Sequence, residues 1–93
     1  MMALNRASVP VLNSMFRLQW EPAQSSYVLL YPEGMVQLNG PAGEILSLID
    51  GAVSVQAMID TLEHKFPEAE GLAEDVVAFL LEAQQNQWLT FQV

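Results

Sequence analysis

The sequence offers few residues able to do covalent chemistry. His64 is its single histidine and it has no cysteine, so thiolate nucleophiles, thiolate metal ligands and disulfides are unavailable. A metal centre would need His64 joined by several carboxylates converging in space, and the only acid on its side of the same segment is Asp60. No serine stands at a diagnostic spacing from His64, and there is no nucleophile-elbow sequence to support a Ser-His-acid arrangement. The expectation is a protein with no catalytic residue, no metal and no cofactor. A small enzyme acting through Asp60 and His64 is the rival reading, and replacing His64 would abolish its activity.

Acidic residues dominate the remaining polar chemistry. Eleven Asp and Glu stand against three Lys and Arg, a net charge of −8. Glu68, Glu70, Glu74 and Asp75 gather where a third helix is predicted to start. Negative charge there is stabilised by the positive end of the helix dipole, and the same residues could recognise a basic stretch of a partner. That helix carries no Lys or Arg, so it would meet a phosphate backbone with like charge, and nucleic-acid binding is disfavoured. A nucleic-acid-binding winged helix is retained as the rival that a gel shift at low salt would test. No segment approaches the roughly 20 apolar residues of a membrane helix, and residues 1–14 lack the apolar run of a signal peptide. A protein of the cytoplasm, with no membrane partner, is expected.

The elements that must position any site follow from periodicity. At 93 residues and 52% hydrophobic, the chain suits one small domain. Phe16 to Trp20 alternates apolar and polar residues, as a strand with one wet face does. Tyr27 to Tyr31 is a continuous run of strand formers, Pro32-Glu33-Gly34 supplies a reversal, and Met35 to Asn39 returns as a third strand. Asn39 is placed to cap a first helix of about ten residues through Ile45, Leu46 and Ile49, and Gly51 is placed to stop it. Ser54 caps a second, with Val55, Met58, Ile59, Leu62 and Phe66 on one face before Pro67 ends it. The third runs from about Glu70 to about Gln87, and Trp88, Leu89 and Phe91 follow in an extended tail. The predicted fold is α+β and winged-helix-like: a three-stranded antiparallel sheet followed by three helices, spanning residues 15–93 behind a flexible N-terminal arm, residues 1–14.

In such a fold the third strand lies at the sheet edge, where unpaired backbone groups can accept an added strand, and the third helix forms the opposite wall. Val77 and Leu81 widen the apolar face of that helix and are expected to line the wall. Their alternatives are ordinary packing or a dimer contact. A homodimer, through the Val9–Leu12 segment or the free edge, is left open.

Particular residues carry a family resemblance. Phe16-Arg-Leu-Gln-Trp-Glu21, Tyr27-Val-Leu-Leu-Tyr-Pro-Glu-Gly-Met35, Leu38-Asn39, Ile45-Leu46, Asp50-Gly51, Asp75-Val76, Phe79-Leu80 and Trp88-Leu89 resemble the PqqD family of pyrroloquinoline quinone (PQQ) biosynthesis. The Leu-Leu-Tyr-Pro-Glu-Gly segment is the most specific part. The resemblance implies a peptide chaperone that binds the precursor peptide PqqA and presents it to the radical-SAM enzyme PqqE, which cross-links a Glu and a Tyr of that peptide. It implies that the peptide adds as a strand beside the third strand and against the third helix. Candidate peptide-binding residues are therefore Met35, Val36, Gln37, Leu38 and Asn39 on the strand. On the helix they are Asp75, Val76, Phe79 and Leu80, together with Val77 and Leu81. The sequence departs from the family pattern at Gln87, where a small or glycine-like residue is expected, and at Gly40-Pro41.

Overall fold

A computed structural model describes residues 5–92. The elements run β1 (Val9–Leu12), β2 (Arg17–Glu21), β3 (Ser26–Tyr31), β4 (Gly34–Gln37), α1 (Gly40–Ser47), α2 (Val55–Lys65), α3 (Leu72–Gln85) and β5 (Leu89–Gln92). β2, β3 and β4 form an antiparallel meander in that order, with Leu18 opposite Leu29 and Leu29 opposite Val36. The alternation along these strands puts Phe16, Leu18, Tyr27, Leu29, Val36 and Leu38 on the helix side of the sheet, where each joins or packs against the core. That core is closed by Ile45 and Leu46 of α1, Val55, Met58, Ile59 and Leu62 of α2, and Val76, Leu80 and Ala83 of α3.

The caps follow local chemistry. The Asn39 side chain accepts from the Ala42 amide at 2.8 Å, with Pro41 in the first turn of α1, and the Ser54 hydroxyl accepts from the Ala57 amide at 3.1 Å. α1 stops at Ser47, earlier than its apolar spacing indicates, because the Leu48 and Ile49 amides turn back to the Ile45 and Leu46 carbonyls and the Asp50 carboxylate accepts from the Ala52 and Val53 amides. α1 lies close on β3: a Cβ on Gly43 would stand 2.8 Å from Cδ2 of Tyr27. α3 ends in a Schellman motif, with the Gln87 amide on the Gln84 carbonyl, the Trp88 amide on the Ala83 carbonyl, and Gln87 itself left-handed at φ 65°. This is the position at which a glycine-like residue is expected.

A second sheet goes beyond the predicted meander. Val9–Leu12, assigned to the N-terminal arm, is β1 and pairs antiparallel with β5, the extended tail, with Leu12 opposite Leu89 and Val9 opposite Gln92. The segment before β1 is also engaged: the Ser8 and Arg6 carbonyls accept from the Val55 and Gln56 amides at 2.9 and 2.8 Å. Those amides belong to the first turn of α2 and have no partner inside the helix. Residues 1–4 of the arm lie outside the described residues.

Candidate functional site

The site is built on the outer edge of β4. Among the described residues this strand pairs only with β3. Leu38 donates its amide to the carbonyl of Tyr27, the residue opposite it, at 3.1 Å. In an antiparallel ladder such bonded pairs alternate with unbonded ones. Val36 and Gly34 therefore pair inward, while Met35 and Gln37 direct their N–H and C=O groups to the free edge. Their side chains lie on the outer face of the sheet, and Met35 is 55% exposed. Val36 and Leu38 point the other way, toward the helices.

Beside this edge runs a groove of about 340 Å³, lined by Val36 to Asn39 of the strand and its exit, Pro41, Ala42 and Ile45 of α1, and Asp75, Phe79, Glu82 and Ala83 of α3, with Trp88 beyond. Its far wall is aromatic: the Phe79 and Trp88 rings stand 6.5 Å apart, tilted by 59°. The Schellman turn produces this arrangement, because it folds Trp88 back beside the helix that carries Phe79.

The expected site residues divide into distinct groups. Val36, Gln37, Leu38, Asn39, Asp75 and Phe79 line the groove together, and Met35 lies on the same edge through its backbone. Val76 and Leu80 are fully buried in the core, so no peptide atom can touch them. Val77 and Leu81 are half-buried on the other flank of α3: at 3.6 residues per turn Leu81 lies about 160° around the helix from Phe79. The structure does not bring these four to the groove. It adds Pro41, Ala42, Ile45, Glu82, Ala83 and Trp88, which sequence reasoning missed. Glu82 alone carried a local signal, an acid in the last turn of a helix where the dipole disfavours negative charge.

The residues considered for catalysis lie elsewhere. Asp60 accepts from the Gln56 side chain at 3.0 Å, and His64 is exposed. Among the described residues no group of three His, Asp or Glu is placed to hold a metal, and no helix is long and apolar enough to cross a membrane.

Comparison with known proteins decides the family. Residues 26–89 match the family model described as coenzyme PQQ synthesis protein D, PqqD. The chain belongs to the PqqD family. The PqqA binding protein of Pseudomonas aeruginosa is 53% identical to it over 85 residues, covering 91% of this chain and 92% of the relative. The PqqA binding protein of Acinetobacter baylyi is 49% identical over 85 residues, covering 91% and 86%. Among solved structures, the PqqD truncation of Methylobacterium extorquens PqqCD matches with a TM-score of 0.76 at 26% identity over 95% of each chain. That protein represents a functional, stand-alone recognition element for ribosomally synthesized and post-translationally modified peptides. The matched segment of the PqqD model begins with β3 and includes both walls of the groove.

Proposed function

We propose that this PqqD-family chain binds the precursor peptide PqqA as a strand added to β4 and presents it to the radical-SAM enzyme PqqE during PQQ biosynthesis in the cytoplasm. In this reading the domain is a peptide chaperone, and the bond-forming chemistry belongs to PqqE. One observation carries it: a strand edge with two free backbone positions, Met35 and Gln37, opens on an apolar groove walled by a helix. Backbone pairing supplies register without demanding particular side chains, and the Phe79 and Trp88 wall supplies the apolar contact that gives affinity. The names of the relatives from Pseudomonas and Acinetobacter point to the same peptide.

The test is a titration of unlabelled PqqA into isotopically labelled protein, followed through the backbone amides. The expected result is large shifts at Met35 and Gln37, at Asp75 to Glu82 on the groove side of α3, and at the Trp88 indole. Shifts confined to other surfaces would overturn the groove as the site. Adding PqqE to the complex should then perturb amides outside the groove while those of Met35 and Gln37 keep their bound positions. A second copy of the chain held on the β4 edge would be displaced by the peptide, which sedimentation would register as a fall in mass.

A further inference from the structure

The groove is more selective than an apolar slot. Along its helical wall Asp75, Phe79 and Glu82 follow at spacings of four and three residues, which stacks them on one face of α3 as acid, aromatic, acid. No Lys or Arg lines the groove. Of the three basic residues in the chain, Lys65 is taken by Glu44 at 2.6 Å and Arg6 is directed to Gln56. Among the described residues, the carboxylates of Glu21, Glu44 and Asp60 accept one hydrogen bond each and that of Asp50 two, whereas Asp75 and Glu82, like the exposed Glu33, Glu63, Glu68, Glu70 and Glu74, enter no hydrogen bond or ion pair; of these unpartnered acids, Asp75 and Glu82 are the two that line the groove.

Glu82 is the more telling of the two acids. Asp75 stands in the first turn of α3, where the dipole welcomes it, but Glu82 stands in the last turn, which has no basic residue to offset it. A negative charge held there against the helix dipole, with no partner of its own, makes sense where a partner arrives from outside.

We infer that the groove between β4 and α3 selects an extended peptide segment in which the apolar side chain reaching Phe79 and Trp88 is flanked by basic side chains that pair with Asp75 and Glu82. The inference rests on the reading of this groove as the PqqA site and specifies what the bound segment must carry. From Asp75 to Phe79 four helical residues advance about 6 Å and from Phe79 to Glu82 three advance about 4.5 Å, against about 6.6 Å between alternate residues of a strand. A strand lying along α3 thus matches the first interval, and the long, flexible side chain of a Lys or Arg spans the roughly 2 Å difference at the second.

The experiment is calorimetric titration of PqqA into the wild-type chain and into the D75N/E82Q double variant, over a range of salt concentrations. The two substitutions are on the surface and keep side-chain size, and matching melting temperatures would confirm that both proteins are folded. The double variant is expected to bind about three- to tenfold more weakly at low salt, with a flatter salt dependence than the wild type. A PqqA variant with its Lys and Arg replaced by Gln should lose affinity for the wild type and little for the double variant. Equal affinity and equal salt slope for both proteins, with amide shifts still in the groove, would overturn the charge selection and leave the PqqA site standing. Absence of binding, or shifts outside the groove, would overturn the site itself and this inference with it.

Discussion

Leu80 and Leu81 are neighbours in sequence with unrelated duties. Leu80 is fully buried among the sheet and α2, whereas Leu81 is half-buried on the flank of α3 turned away from the groove. Cutting Leu80 to Ala should cost about 2–5 kcal/mol in a denaturant titration. Leu81→Glu should leave PqqA affinity unchanged by calorimetry, and a large loss of affinity in the folded variant would place part of the binding surface on that flank. Gln87 shows a different constraint at the same scale. A left-handed conformation costs a side-chain-bearing residue roughly 1–2 kcal/mol, yet here it completes the Schellman turn and offers its carbonyl to the Asn13 side chain at 2.8 Å. The strain is held by the contacts it makes possible, among them the meeting of Trp88 with Phe79.

At the scale of elements, α1 lies on β3 with no room for a side chain at Gly43. Gly43→Ala would drive a methyl group against the Tyr27 ring and should destabilise the fold by about 1–3 kcal/mol, measured by thermal or denaturant unfolding. Because Pro41, Ala42 and Ile45 of α1 line the groove, PqqA affinity should fall as well. The meander, the Asn39 and Ser54 caps and the three helices were legible in the sequence because each is written in adjacent residues: alternation, a capping side chain, an apolar stripe. The pairing of β1 with β5 was not, since strands of four residues at opposite ends of the chain carry no local sign of one another. The strand side of the candidate groove was legible for the same reason as the meander. The helix side was legible only in part: periodicity shows how wide the apolar stripe of α3 is, not which flank faces β4. The width of that stripe therefore added outward Val77 and Leu81, and the family resemblance carried buried Val76 and Leu80 in beside Phe79.

At the scale of the whole molecule, both ends of the described chain converge on α2 and α3. The Arg6 and Ser8 carbonyls finish the first turn of α2, and β5 continues directly from the turn that ends α3. Removing residues through Leu12 would orphan two helix amides and leave β5 without its partner. Such a truncation should lower the melting temperature and loosen Trp88, whose carbonyl holds the Asn13 amide at 2.8 Å, so PqqA affinity should drop together with stability. Retention of both would show that the small sheet is dispensable. The antiparallel register that sets Val9 opposite Gln92 has a further consequence for how such a domain can be carried. Entrance and exit lie side by side, so the fold can be spliced into a loop of a host polypeptide or hung from its end as a cassette. Short tethers would suffice, and the open edge of β4 would stay accessible to its guest.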